Sequence, residues 1–341
     1  MVPRTCLLLA AAGLLLGAAQ GGDPVLERLQ ALERAREDEG HGRDQLDKKI
    51  DDLLWYQRVG DVADLDKVYY TSVPNPHETP TYGIANERHP FRVWGYLFVP
   101  KGLERKAKHP LLLFVHGGVH ASFDTYYVHE IRELMARGYV VFAPEYRGST
   151  GYGREYYEAI DYGGLEVDDV LAGRTWALQS LPFVDGKRVG ILGWSHGGMI
   201  ALLAAAREPD AFQAVYAGVP VSDLVARMGY QDDAYRKLFS AEHHVGKTAH
   251  EDVEEYRRRS PVTQATKITA PLLLHTNTND RDVHVLEVQH LIDVLKAAGK
   301  KFDYKIYEDA PGGHSFNRTD TPLALESRRE IWAFLDTHLK R

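Results

Sequence analysis

Cysteine is almost missing from the 341 residues: the single one, Cys6, lies in the first 22, so the remainder can form no disulfide, thiolate metal site or cysteine nucleophile. Positive charge is not in surplus either. Lys and Arg number 41 against 48 Asp and Glu, a net charge of −7 with both signs interspersed, which leaves no basic footprint for nucleic acid. There is no internal repeat and no low-complexity linker. The long apolar run from Leu7 to Ala19 is too short for a comfortable membrane span. Arg4 precedes it and it ends in the small residues Gly17, Ala18 and Ala19, so residues 1–22 are expected to be a removable secretory signal. A secreted or periplasmic protein without stable membrane insertion follows from that reading; the alternative is an uncleaved N-terminal anchor.

What is present is an ordinary globular composition, 44% apolar, enough for one large or two modest domains. Residues 23–66 read as a charged helical segment, with stripes at Leu26, Leu29 and Leu32 and at Leu46, Ile50, Leu53 and Leu54. Gly40 and Gly42 between the stripes suggest a helical hairpin. From residue 67 the pattern changes to strands over Val68–Tyr70, Phe91–Val99, Leu111–Val115 and Tyr139–Ala143. Beyond the loop 147–162 comes a helix over Val167–Leu178, and then strands and helices alternate to the C-terminus. A polar helical insert over 223–258 interrupts them and is a candidate partial lid. Alternation of this kind predicts an α/β fold, a mainly parallel sheet covered by helices on both faces, over residues 67–341.

The most informative stretch is Arg188–Ala206, RVGILGWSHGGMIALLAAA, in which Ser195 stands in a G-x-S-x-G turn between an apolar strand and an apolar helix. That context marks a nucleophile elbow, a turn so tight that the Ser is presented at the top of a sheet. A serine hydroxyl is too weak an acid to attack a carbonyl unaided; it needs a base, and the base an orienting carboxylate. On such a fold the order is Ser, acid, His. Past a late strand, Asp280 and Asp282 both qualify as the acid, and His314 in the turn PGGHSF qualifies as the base. Two donors for an oxyanion are expected from the backbone N–H groups of His196 and of Gly118, in the loop His116-Gly117-Gly118. Tyr146, Arg147, Tyr152 and Tyr162 lie in or near the loop bordering the pocket, with Trp194 packed beneath the nucleophile; with His116 they complete the candidate substrate neighbourhood. A metal hydrolase is not favoured. His116 and His120 are separated by glycines that oppose a shared helix, and the adjacent His243 and His244 do not converge easily on one ion, so no metal and no cofactor is expected.

Five ordered segments, LLLFVHGG, EYRGSTGYG, GWSHGGMIAL, NDRDVHV and PGGHSF, resemble the catalytic domain of the prolyl oligopeptidase family of serine peptidases from about Phe91 to the C-terminus. The resemblance implies an α/β-hydrolase fold and a hydrolase acting on peptide or acyl-peptide bonds through Ser195, Asp280 and His314. It selects Asp280 over Asp282, because in the family's acid loop a Val-His pair falls three and four residues after the acid. It also carries the oxyanion positions onto Gly118 and His196. Two features depart from the family pattern. Between the signal and Phe91 the chain is too short for the β-propeller that many members carry, and His116 stands in the region where prolyl-specific members use a tyrosine. A carboxylesterase of small acyl or carbohydrate-linked esters would use the same triad, and a noncatalytic binding protein could share the fold. The expected partner is a peptide or small ester; oligomeric state is left open.

Overall fold

The computed structural model describes residues 24–76, 89–318 and 320–340, so the signal expected over 1–22 lies outside them. The chain opens with helix α1 (Pro24–Val59), strands β1 (Ala63–Ser72), β2 (Phe91–Pro100) and β3 (His109–Val115), helix α2 (Val128–Ala136) and strand β4 (Val140–Glu145). A short α3 (Arg154–Tyr157) and a longer α4 (Leu165–Ser180) lead to β5 (Val184–Trp194), α5 (His196–Arg207) and β6 (Ala214–Gly218). Four short helices follow: α6 (Leu224–Tyr230), α7 (Asp233–Ser240), α8 (Val253–Arg258) and α9 (Pro261–Gln264). The chain closes with β7 (Leu272–Asn277), α10 (Val285–Ala297), β8 (Asp303–Tyr307) and α11 (Pro322–Leu339).

The eight strands form one sheet in the order β1-β2-β4-β3-β5-β6-β7-β8. β1, β2 and β4 pair antiparallel, and every pairing from β4 to β8 is parallel. A strand with both faces covered reads as a continuous apolar run, because alternate side chains feed two cores. β3 does this: Leu111, Leu113 and Val115 enter the core under α4, α5 and α10, while Leu112 and Phe114 enter the one under α2, α11 and the end of α1. Helix α5 is apolar all round because it lies in the middle of the first core, with Met199 to Ala206 all buried.

The N-terminal segment is one continuous helix, not the expected hairpin, and the sheet is joined at Ala63 rather than at residue 67. A glycine inside a helix costs about 1 kcal/mol, a weak penalty that packing overrides. Packing is supplied on both sides of Gly40 and Gly42. Arg154 pairs with Glu37 and Asp38 at 2.9 and 2.8 Å, and Trp55 is buried against Phe98 and Phe123 with ring centroids 5.0 and 5.6 Å away. The leucines of the first stripe, Leu26, Leu29 and Leu32, stay more than half exposed. Among the described residues no helix is long and apolar enough to cross a membrane.

Candidate active site

In a parallel sheet the loops after the strands gather at one edge, where sites form. Four such loops matter here: His116 follows β3, Ser195 follows β5, Asp280 follows β7 and His314 follows β8. Ser195 has φ 58° and ψ −119°, a left-handed conformation that costs a non-glycine residue about 1–3 kcal/mol. It is held by both backbone groups: its N–H donates to Gly218 O (2.9 Å), and its carbonyl accepts from Met199 N (3.0 Å) and Val221 N (3.3 Å). The turn admits only glycine at Gly197, where a Cβ would stand 2.2 Å from Val115 O. At Gly117 a Cβ would meet Trp194 O at 2.8 Å and Ser195 Cβ at 3.4 Å, which fixes how closely the 116–118 loop lies against the serine.

His314 and Asp280 come together. His314 Nδ1 donates to Asp280 Oδ2 at 2.8 Å, and Asp280 Oδ1 accepts from the N–H groups of Asp282 and Val283, both at 2.9 Å. The Asp280 carboxylate is buried, whereas Asp282 is half exposed and lies 3.4 Å from His314 Nε2. The His314 carbonyl accepts from Trp194 Nε1 (2.8 Å), which joins the loop after β8 to the serine turn. Among the described residues Ser195 Oγ makes no hydrogen bond. An open cleft of about 610 Å³ borders His314 and is lined by Gln231, Tyr235, Asn279, Arg281, Asp282 and the two glycines before the histidine. Of the residues expected to donate to an oxyanion, His196 begins α5, where a helix leaves its first N–H groups unbonded, and Gly118 has φ 70° with its carbonyl accepting from Tyr146 Oη at 2.8 Å.

The expected substrate contacts are placed differently. His116, Tyr146, Arg147, Tyr162 and Trp194 are buried and hold loops together instead of facing a cleft. Arg147 makes paired hydrogen bonds to Asp169 (2.9 and 2.7 Å), and Tyr162 packs between His196 and Phe239. Tyr152 stacks on Trp94, at the β2 side of the molecule. His116 Nδ1 contacts Gly117 O at 3.0 Å and its Nε2 contacts Ser149 Oγ at 3.0 Å, while Ser149 Oγ also lies 2.6 Å from Tyr146 O. Burial pushes the His116 imidazole down to about 3, so it is neutral at ordinary pH.

Several residues that support the site carry no signal in the sequence. Lys48 of α1 reaches inward to pair with Glu145 (2.5 Å) and to donate to Phe123 O (2.8 Å), and Glu145 Oε2 lies 3.5 Å from His116 Nε2. Burial raises the Glu145 carboxyl, opposed by Lys48. On the other side of α5, Glu166 accepts from Gly164 N (3.1 Å) and lies 3.5 Å from His196 Nε2. Burial and the neighbouring Glu166 push Asp161 up to about 7. Arg227 of α6 is buried and grips the acid loop through Asp282 Oδ1 and Asp282 O, both at 3.0 Å. A lone Arg in a polar insert gives no hint of this.

The histidine spacing misled in one respect. His120, His243 and His244 are brought together by loop packing, with one ring nitrogen of each within 4.8 Å of the others. Convergence in space does not require a shared helix.

Residues 125–341 match the prolyl oligopeptidase family. The chain is 31% identical over 248 residues to the uncharacterized peptidase YuxL of Bacillus subtilis, covering 72% of this chain and 37% of that protein. It is 33% identical over 230 residues to human dipeptidyl peptidase 8, covering 64% and 24%. The chain thus spans well under half the length of these curated relatives. Among solved structures, an acylaminoacyl peptidase from Pyrococcus horikoshii superposes with a TM-score of 0.69 at 22% identity, covering 82% of this chain and 42% of that one. A puromycin-hydrolysing peptidase of Mycobacterium tuberculosis gives 0.64 at 24% identity, covering 81% and 39%. These likenesses confirm the α/β-hydrolase fold. Because the family match takes in more than half of the chain and every element bearing Ser195, Asp280 and His314, this chain belongs to the prolyl oligopeptidase family.

Proposed function

We propose that the protein is a serine hydrolase that cleaves peptide or acyl-peptide bonds through an acyl-enzyme. The observation that carries this reading is the buried Asp280 carboxylate bonded at 2.8 Å to His314 Nδ1, on a loop tied to the strained serine turn. That bond leaves Nε2 as the basic nitrogen. When Nε2 faces Ser195 Oγ it takes the hydroxyl proton as the oxygen attacks the scissile carbonyl. The oxyanion that forms is held by the N–H groups of Gly118 and His196. His314 then gives its proton to the departing amine, and water repeats the sequence to release the acid. Triad hydrogen bonds that are absent without substrate commonly form in the Michaelis complex.

An ester has a better leaving group than an amide, so carboxylesterase action on small acyl or carbohydrate-linked esters is the second reading. The open cleft beside His314 suits it, as it suits a peptidase of short peptides. The deciding experiment compares aminoacyl, N-acylaminoacyl and dipeptidyl amides with short acyl and aryl esters, alongside labelling of Ser195 by a fluorophosphonate. Amide turnover within about a hundredfold of ester turnover supports the peptidase; esters alone being cleaved selects the esterase, and no labelling of Ser195 rejects both. The composition of residues 1–22 supports export, and the N-terminal sequence of the mature protein tests it.

A further inference from the structure

Beside the 116–118 loop the rings of His120, His243 and His244 form a cluster that the hydrolytic reading does not use. His120 lies two residues after Gly118, and its ring stacks on Tyr157 with centroids 3.4 Å apart. His243 and His244 come from the connection between α7 and α8, in the insert, and the rings of His120 and His244 lie 5.2 Å apart. The hydrogen bonds fix the tautomers of two of the three. His120 Nδ1 contacts Gly148 O at 2.9 Å, and His244 Nδ1 contacts Leu238 O at 2.5 Å. A carbonyl oxygen only accepts, so both Nδ1 atoms carry the hydrogen, and in a neutral imidazole the other nitrogen is then a bare lone pair. Those two bare nitrogens, His120 Nε2 and His244 Nε2, face one another at 3.1 Å. Two acceptors cannot satisfy each other; a proton or a cation must stand between them.

The third ring decides which. A shared proton needs two nitrogens, and here a third, from His243, converges on the same point with all three within 4.8 Å. We propose that His120, His243 and His244 bind a divalent transition metal of the zinc type, and that the ion clamps the insert to the loop bearing Gly118. Imidazole nitrogens with no carboxylate select zinc, copper or nickel over calcium and magnesium. Zinc–nitrogen bonds of about 2.0–2.1 Å at tetrahedral angles set the nitrogens about 3.3 Å apart. The His120–His244 pair already has that spacing, and the widest separation closes by about 1.5 Å through rotation of the His243 side chain. The carbonyls of Gly148 and Leu238 act as the outer shell that orients metal-binding imidazoles. Three protein ligands leave a fourth position for water. One partner of the clamp stands two residues from Gly118 and the other on the insert whose Arg227 grips the acid loop, so the ion fixes the insert on both sides of the site.

The test uses the metal-free full chain and Co²⁺ or Zn²⁺ alone. Co²⁺ is expected to bind with one ion per chain, with a tetrahedral visible spectrum that Zn²⁺ abolishes by displacement. Because the readout is binding, Ser195→Ala gives the same result, and loss of hydrolysis leaves the proposal untouched. His243→Ala and His120→Ala each weaken Zn²⁺ at least about tenfold, the size of effect seen when even an outer-shell partner is lost. His250→Ala, at an exposed position of the same insert, leaves it unchanged. His243 is the decisive variant, since its ring lies in a partly exposed connection and its removal spares the core. In wild type, Zn²⁺ slows amide hydrogen exchange across residues 238–246, and in His243→Ala it does not. Undiminished affinity in His243→Ala, an octahedral spectrum, or no binding at about 10 μM metal overturns the proposal and leaves a shared proton as the occupant.

Discussion

The two flanks of Ser195 are built on opposite principles. On one flank stand His314 and Asp282, partly exposed beside an open cleft and held by the buried Asp280 carboxylate, Arg227 and Trp194 Nε1. On the other, beneath the loop bearing Gly118 and the first turn of α5, the charged and polar groups are sealed: Lys48, Glu145, His116, Glu166 and Asp161 with at most a fifth of any side chain exposed. A group that must give and take a proton has to be reachable and free to turn. A group that must only hold backbone donors in place does better buried, where each partner is hard to remove. The same residue type thus stands in opposite settings: His314 partly exposed on one flank, His116 a buried, neutral fixture on the other.

The comparison breaks most severely if the exposed flank is dispensable. Ser195→Ala is expected to lower kcat by about 10³–10⁶-fold with the thermal transition unchanged, measured on whichever substrate of the panel is turned over. Next comes the choice of acid. Asp280→Asn removes the acceptor that fixes the imidazole and should cost about 10³–10⁴ in kcat, whereas Asp282→Asn, whose carboxylate is half exposed and shared with Arg227, should cost less than about tenfold. The reverse ranking would make the exposed carboxylate the working one.

The buried flank should answer in stability before it answers in rate. Lys48→Met strands the Glu145 carboxylate without its ammonium and is expected to cost about 3–5 kcal/mol in chemical denaturation; adding Glu145→Gln should recover most of it. If Lys48→Met is neutral, the link between α1 and the Gly118 loop is ornamental. The smallest effect is a slope. Because burial depresses His116 from 6.5 to about 3, its stabilisation is complete above pH 6.5 and is lost as pH falls toward 3; His116→Gln should reduce the acid-side dependence of stability by about one proton. Asp161 works with the opposite sign: raised from 3.8 to about 7, it favours the fold below about pH 4 and loses that contribution as pH rises through 7. Asp161→Asn should therefore flatten the limb between about pH 4 and 7.

Much of this was legible before any coordinate. The eight strands fall where alternating or continuous apolar runs stand, and Gly193-x-Ser195-x-Gly197 between a strand and an apolar helix marks its own turn. What misled were arguments from spacing alone. Gly40 and Gly42 do not break α1, because a propensity cost of about 1 kcal/mol each is small beside the burial of Trp55 and the Arg154 ion pairs. His116, Tyr146 and Arg147 sit in the right loops but turn inward, a choice made by hydrogen bonds to partners 20 or more residues away.

By itself the sequence determined the local matters: which segments are strand or helix, which faces are apolar, where a turn is too tight for any side chain. These depend on neighbours within a few positions, and the chain carries those neighbours with it. The tertiary structure alone decided which distant groups share a point in space. It puts Lys48 beneath the Gly118 loop and collects three histidines from two loops 123 residues apart. Such meetings are fixed by how loops pack over the edge of a sheet, and that packing energy is summed over the whole fold, with no local pattern to announce it.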